Sequence, residues 1–85
     1  MSKRDDAVYL RHILDSIVRV QTYVAGVDAD EFQADAKTQD AVVRQLEVIG
    51  EAARNVSQGF REAHPEVPWA DMIGMRNRLI TITST

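Results

Sequence analysis

The residues of this chain that could support chemistry lie in the segment 75–80, which reads Met-Arg-Asn-Arg-Leu-Ile. Its first arginine, Arg76, lies three residues after Ile73 and four before Ile80, on the apolar face of a predicted helix. A guanidinium in a polar cleft between helices or subunits could bind a phosphate through two parallel hydrogen bonds. Alternatively, its aliphatic stem packs on apolar surface while the charge reaches water or a carboxylate. Asn77 could orient a catalytic group or face solvent, so the residues alone leave both interpretations open.

The elements that must position this segment are predicted to be helices throughout. Apolar residues recur at spacings of three and four, and no segment alternates apolar and polar residues as a strand would. Asp5 or Asp6 is predicted to cap the first helix, and Gly26 to end it. The apolar positions of that helix are Leu10, Ile13, Leu14, Ile17, Val20 and Val24. The fold class is therefore predicted to be all-α.

A short second helix and a long third helix are predicted to follow. Asp28 with Glu31 has the form of a capping box, which opens about two turns that carry Phe32. The third helix begins near Asp35, and its apolar positions are Val42, Leu46, Ile49, Ala53, Val56 and Phe60. Gly50, in the middle of that helix, would let another helix approach closely.

Two prolines separate the third helix from the last one. Pro65 and Pro68 lack amide hydrogens, and each disfavours helical backbone in the residue before it. A new helix is therefore predicted to start at Trp69, and this helix carries the Arg76 segment.

The composition limits the class of protein. With 85 residues, the chain forms one domain at most, and a domain of this size buries only about 60% of its unfolded surface. A net charge of −3 argues against general affinity for nucleic acid, so any contact with RNA must be local. The absence of cysteine excludes disulfides and thiolate metal sites. No apolar run approaches the roughly 18 residues of a membrane span, so a cytoplasmic protein without a membrane segment is expected.

Histidines and carboxylates elsewhere could hold a metal ion, but each group has a simpler interpretation. His12 with Asp15 and His64 with Glu62 could form a site between two helices. The simpler interpretation is that His12 lies at the surface and that His64 caps carbonyls at a helix end. A third group consists of Asp28, Asp30, Glu31 and Asp35. These carboxylates lack the spacing and the glycine of an EF-hand loop, so they are interpreted as helix caps. No metal or other cofactor is predicted.

Three separated blocks of the sequence resemble one known family. They are 39–53 (QDAVVRQLEVIGEAA), 60–61 (FR) with 64–69 (HPEVPW), and 73–77 (IGMRN). In residue type, order and spacing, the blocks resemble the HepT family of the HEPN superfamily, and the resemblance extends from the first helix to Ile80. It implies that residues 1–85 form a single HEPN-like antiparallel helical bundle that is incomplete at its carboxyl end, with the last helix truncated.

The resemblance also implies a function. HepT proteins are small helical ribonuclease toxins, commonly homodimers, which are encoded beside a minimal nucleotidyltransferase antitoxin. That antitoxin neutralises the toxin by adding AMP to a tyrosine. The implied activity is cleavage of RNA without a metal or other cofactor, as the toxin of a toxin-antitoxin pair.

The family's active motif is an arginine, four to six residues and a histidine, often followed by one residue and a tyrosine. Arg76 matches the arginine, and Asn77 matches the polar residue after it. With a spacer of four residues, this chain has Thr81 and Thr83 where the histidine and tyrosine are expected. In the implied mechanism, the histidine is the general acid and base for attack by the RNA 2′-hydroxyl, and the arginine stabilises the transition state. A threonine hydroxyl does not change its protonation state near neutral pH, so impaired catalysis is expected.

The tail from Thr81 to Thr85 suggests how this ending arose. If an ancestral His-Asp-Tyr-Phe were encoded by CAC GAT TAC TTC, loss of one C would give codons for Thr-Ile-Thr-Ser, the residues at 81–84. A one-base frameshift soon after Ile80 is therefore our hypothesis for the truncation. The loss would uncover apolar surface at Phe60, Trp69 and Met72 and would favour self-association.

Two functions follow from these observations. The first is a HepT-type ribonuclease toxin whose catalysis is impaired in this copy. The second is a non-catalytic helical module that dimerises or binds the antitoxin.

Overall fold

Four helices and a further helical segment make up the described part of the chain. The computed structural model describes residues 3–74, with side chains from Asp5 onward. The helices are α1 (Lys3–Val24), α2 (Ala29–Ala34), α3 (Ala36–Asn55) and α4 (Gln58–Ala63), and helical backbone resumes at residues 69–74, named α5 here. No strand occurs within this range, which confirms the predicted all-α class. The predicted truncation of the last helix lies outside the described residues.

α1 and α3 form the centre of the fold and run antiparallel. Their shared core consists of Ile13, Ile49, Ala52, Ala53 and Val56. Phe60 from α4 and Trp69, Met72 and Ile73 from α5 pack against this core and are partly buried. The short α2 packs against α3, where the Gln39 side chain donates a hydrogen bond to the Phe32 carbonyl at 2.7 Å. The arrangement is the antiparallel helical bundle that the resemblance implies.

Three helix ends are closed by residues that the sequence predicts there. Gly26 follows α1 with a φ of 72°, a conformation that suits glycine. Asp28 accepts a hydrogen bond from the Glu31 amide at 2.8 Å, and the Glu31 carboxylate accepts one from the Asp28 amide at 3.4 Å. Asp35 accepts hydrogen bonds from the Thr38 amide at 3.2 Å and the Thr38 hydroxyl at 2.6 Å. The capping box of α2 and the start of α3 are therefore confirmed.

Asp6 joins the start of α1 to the start of α4. The prediction that Asp5 or Asp6 caps α1 is wrong, because α1 already begins at Lys3. The buried Asp6 carboxylate instead accepts hydrogen bonds from the Ser57 amide at 2.8 Å and the Ser57 hydroxyl at 2.7 Å. The Ser57 oxygen also accepts a hydrogen bond from the Phe60 amide at 3.2 Å, so it caps α4. One side-chain pair thus ties the beginning of α1 to the segment that follows α3.

The third helix is shorter than predicted. It ends at Asn55, whereas Phe60 belongs to the separate helix α4, so the prediction that Phe60 continues α3 is wrong. Val56 and Ser57 have extended backbone, with ψ angles of 137° and 148°. Val56 and Phe60 nevertheless pack in the same core, and this shared burial explains why their spacing resembled one continuous helix.

α5 crosses α3 at Gly50, as the mid-helix glycine predicts. A Cβ atom added to Gly50 would lie 3.0 Å from the Met72 carbonyl oxygen, so even an alanine would require α5 to shift by a few tenths of an ångström. At the start of α5, the Trp69 indole N–H donates a hydrogen bond to the His64 carbonyl at 2.9 Å. The Trp69 ring also meets Phe60 edge to face, with 6.2 Å between ring centroids. These contacts position the helix that precedes Arg76.

Replacing Ser57 with alanine is expected to lower the free energy of unfolding by about 1 kcal/mol, because α4 loses its N-cap. The substitution also removes one of the donors to the buried Asp6 carboxylate. Urea unfolding followed by circular dichroism measures the change. Thr22→Ala is the matched control, since Thr22 only donates to the Val18 carbonyl on an exposed helix face, and we expect a change below about 0.5 kcal/mol. Equal stability of the two variants would contradict the capping role.

The same contact makes stability depend on pH. Hydrogen bonds from the Ser57 hydroxyl, and then from the Ser57 amide, hold the pKa of Asp6 below its usual value of 3.8. The unfolded chain therefore binds more protons in the acid range, so this stabilisation is complete well above pH 4 and is lost as the pH falls through the folded pKa. We expect the urea midpoint to decrease below about pH 4, and to decrease less in Ser57→Ala.

Candidate functional site

A polar cleft between α1 and α3, beside α5, is the candidate site. Its volume is about 330 Å³. The polar residues that line it are Tyr9, His12, Arg44, Glu47, Glu51, Arg54 and Asn55. Gly50 and Ile73 also line it, so the contact between α3 and α5 forms one of its edges.

The cleft face of α3 follows from the helical repeat. Its charged residues, Arg44, Glu47, Glu51 and Arg54, are spaced by three and four residues and so share one side of the helix. The buried residues of α3 include Val42, Ile49 and Ala53, which face the core instead. Along the cleft, the charges therefore run positive, negative, negative, positive.

Hydrogen bonds and ring contacts order part of this lining. The Asn55 side-chain amide donates to the Glu51 backbone carbonyl at 2.9 Å and lies 3.5 Å from the Glu51 carboxylate. On the opposite wall, the rings of Tyr9 and His12 meet edge to face, with centroids 6.4 Å apart. His12 is exposed, as its simpler interpretation predicted. The wall on α1 thus offers two neighbouring aromatic rings.

The residues predicted to carry the chemistry lie outside the described range. This applies to Arg76 and Asn77 and to the motif positions Thr81 and Thr83. Arg76 follows Ile73 by three residues in the sequence, and Ile73 lines the cleft. The described structure thus places the helix segment that precedes the motif beside the polar cleft.

The charged residues of α3 that line the cleft were not predicted from the sequence, although His12 and Gly50 were named there in other roles. In the sequence these charged residues form a stripe on α3, opposite the apolar stripe of the same helix. Such a charged stripe usually marks a helix face that contacts solvent. The two arginines at its ends and the aromatic pair on α1 are distinctive only once the antiparallel packing brings the two helix faces together.

The two-helix metal site considered from the sequence does not form. The Asp15 carboxylate pairs with Arg11 at 3.5 Å, and the His64 ring lies 3.2 Å from the Glu66 carboxylate. His64 closes α4 through its backbone amide, which bonds to the Phe60 and Arg61 carbonyls, rather than through its ring. Across residues 3–74, no three His, Asp or Glu side chains are grouped so as to hold a metal ion.

The helices within 3–74 also lack the combination of length and apolar character that a membrane span requires. A different surface of the same helices is nevertheless strongly apolar.

This surface is an apolar groove of about 690 Å³, separate from the polar cleft. The residues that define it here are Leu10, Leu14, Ile17 and Val20 from α1, with Phe60, Trp69 and Met72 from α4 and α5. Of the apolar positions predicted for α1, only Ile13 is buried; Leu14 is 57% exposed and Ile17 is 38% exposed. The groove contains Phe60, Trp69 and Met72, the three residues whose surfaces the sequence analysis expected to be uncovered.

Comparisons with known proteins agree on one family. The sequence model described as Ribonuclease HepT-like matches residues 13–81. A Thermococcus cleftensis protein named "Probable ribonuclease HepT" is 41% identical over 78 residues, which cover 92% of this chain and 71% of that protein. A Methanocaldococcus jannaschii protein named "Putative RNase MJ1380" is 45% identical over 80 residues, which cover 94% of this chain and 73% of that protein. No solved structure matches the chain.

Proposed function

Because the chain belongs to the HepT-like ribonuclease family, we propose that it is the toxin of a toxin-antitoxin pair, with RNA as its substrate and with impaired catalysis in this copy. The observation that carries the proposal is the extent of the family match, which includes Arg76 and Asn77 and continues to residue 81. The polar cleft beside α5 supports it, since it supplies charged groups next to the helix that leads to Arg76.

The chemistry of the proposal is attack of an RNA 2′-hydroxyl on the neighbouring phosphate, with departure of the 5′-oxygen. Arg76 stabilises the negative charge that develops on the phosphate oxygens. A general base must take the 2′-hydroxyl proton, and a general acid must protonate the leaving oxygen. Thr81 stands where the family has the histidine for these steps, and its hydroxyl does neither near neutral pH. RNA cleavage by this copy is therefore expected to be slow. The proposed mechanism uses only side chains of the protein and no metal ion.

The proposed partner is a nucleotidyltransferase antitoxin that acts with the toxin in the cytoplasm. Thr83 stands where the family has the tyrosine that receives AMP, and its hydroxyl is aliphatic rather than phenolic. Modification at this position is therefore not expected, and the proposed neutralisation of this copy is by binding of the antitoxin.

RNA cleavage in the presence of EDTA tests the proposed activity. A labelled RNA incubated with purified protein is expected to be cut slowly, and Arg76→Ala is expected to remove the residual cleavage. Cleavage that Arg76→Ala does not change, or that needs a divalent metal, would contradict the proposal. Equal inactivity of both proteins, together with tight binding of the nucleotidyltransferase, would instead support the second function.

The second function is a non-catalytic module that forms a homodimer or binds the antitoxin. The apolar groove favours it, because exposed contiguous apolar surface commonly marks an interface. We favour a second copy of the chain as the occupant. The exposed ridge of Leu14 and Ile17 forms one wall of the groove, so a two-fold arrangement would bring each ridge against the groove of the other copy.

A further inference from the structure

One side chain of the apolar groove can change its charge near neutral pH. His64 lines the groove together with Phe60, Trp69 and Met72. Among the groove residues that the structure describes, only Gln21 is also polar, and its side chain does not ionise. An imidazole changes protonation between pH 5 and 8, so the polarity of this otherwise apolar surface depends on pH.

The His64 ring is held at the groove by its neighbours. It lies on the Phe60 ring, with the two centroids 4.4 Å apart and the planes tilted by 30°. The His64 amide closes α4 by donating to the Phe60 and Arg61 carbonyls. On the other side of the ring, the His64 carbonyl accepts the hydrogen bond of the Trp69 indole at 2.9 Å. These contacts fix the backbone on both sides of the ring.

Glu66 is the charged group beside this ring. Its carboxylate lies 3.2 Å from Nδ1 of His64, and the side chains of His64 and Glu66 are 45% and 68% exposed. Hydrogen bonds from its own backbone amide, and then from the His64 ring, hold the pKa of Glu66 below its usual value of 4.5. Glu66 therefore stays charged above pH 5, and any change of charge at the groove in this range belongs to His64.

The other elements around the groove contribute no further charge to it. Within residues 3–74, no Asp, Glu, Lys or Arg of α1, α3, α4 or α5 lines the groove. The nearest charged residues of α4 in the sequence, Arg61 and Glu62, line a separate surface pocket with Gly74. His64 and Glu66 are therefore the pair that determines how this surface responds to pH.

A second copy seated on the groove would cover the His64 ring with apolar atoms. A neutral imidazole loses little by this burial, whereas an imidazolium loses its hydration. The loss of hydration of a charged pair commonly exceeds the attraction between its members. The attraction to Glu66 is also weakened by solvent, because Glu66 is mostly exposed. Self-association should therefore favour the neutral ring.

We propose that His64 makes the apolar groove a pH-sensitive interface, which holds a second copy of the chain when the ring is neutral and releases it when the ring is protonated. The inference rests on the homodimer of the second function proposed above. A two-fold arrangement places two His64 rings in the interface, so formation of the dimer releases up to two protons.

Sedimentation equilibrium of the full chain at pH 8 and at pH 5.5, at equal ionic strength, tests the inference. The dissociation constant is expected to rise about tenfold at pH 5.5. Complete exclusion of both protons from the dimer would give roughly 100-fold, and the partial exposure of the ring reduces this value. Net charge alone acts in the opposite direction, because a chain with a charge of −3 at pH 7 approaches neutrality as the pH falls and its copies repel each other less.

Two substitutions at His64 remove the proton. His64→Gln keeps a polar side chain, and His64→Phe keeps an aromatic ring on Phe60. Both are expected to self-associate equally, within about twofold, at the two pH values. His12→Gln is the matched control, since His12 is the only other histidine of the chain, is exposed and does not line the groove. It is expected to keep the tenfold change, and circular dichroism at both pH values verifies that each variant is folded.

The outcomes separate this inference from the homodimer itself. If the unaltered protein dimerises with the same or a smaller dissociation constant at pH 5.5, the inference is overturned while the homodimer stands. The same holds if both His64 variants keep the pH dependence, or if His12→Gln loses it. If both His64 variants are monomeric at pH 8, the ring acts through packing and the inference is also overturned. A protein that is monomeric at both pH values and at high concentration would refute the homodimer, and the inference with it.

Discussion

Thr81→His is expected to raise the rate of metal-independent RNA cleavage by about 100- to 10,000-fold, the usual contribution of a positioned general acid and base. The substitution places an imidazole at the motif position that follows Arg76 by five residues. An imidazole changes protonation between pH 5 and 8, whereas a threonine hydroxyl does not. Initial rates of cleavage of a labelled RNA in EDTA measure the effect, and the rate is expected to pass through a maximum near neutral pH.

Two further variants make this result specific. Thr81→Gln adds a polar side chain that transfers no proton, so its rate is expected to stay at that of the unaltered protein. Combining Thr81→His with Arg76→Ala is expected to remove most of the gained activity, because the transition-state charge is no longer stabilised. A Thr81→His protein that is folded and remains as slow as Thr81→Gln would show that the missing histidine does not limit this chain.

Leu14→Glu is expected to weaken self-association by about 100-fold or more. A second copy seated on the apolar groove would bury this position, and an unpaired carboxylate in an apolar interface costs several kcal/mol. Sedimentation equilibrium measures the dissociation constant. Trp69 gives an independent signal, since it is the single tryptophan of the chain and lines the groove, so its emission is expected to shift to longer wavelength when the dimer dissociates.

Val18→Glu is the matched control for this prediction. Val18 lies one turn further along α1 and is 58% exposed, nearly the same as Leu14 at 57%, but it does not line the groove. We expect its dissociation constant to remain within threefold of the unaltered protein. Equal weakening by both substitutions would point to a different face of α1, and a protein that stays monomeric at high concentration would exclude the second copy as occupant.

The features predicted correctly from the sequence depend on residues close to one another in the chain. The capping partners of Asp28 and Asp35 lie three residues away, so residue type and spacing were sufficient to identify them. Gly50 was also identified correctly as a point of close approach. A glycine inside a strongly periodic helix costs about 1 kcal/mol relative to alanine, and the space that its missing side chain leaves admits a neighbouring backbone.

The errors involve partners far apart in the chain. The role of Asp6 depends on Ser57, and no local pattern indicates that pairing. The break between α3 and α4 was missed because Val56 and Phe60 keep helical spacing although the backbone at Val56 and Ser57 is extended. The polar cleft was missed for a related reason, since the charged face of α3 lines a cleft only where α1 packs beside it.

The Asp6–Ser57 contact sets the order in which the chain can fold while it is being synthesised. The two residues are 51 positions apart, a distance that takes about 3 to 10 seconds to translate at 5 to 20 residues per second. During that interval α1 lacks the partner of its Asp6 carboxylate, and it lacks α4 and α5, which line the apolar groove with it. The nascent chain therefore presents α1 to chaperones, or to a second nascent copy, before α4 has been made.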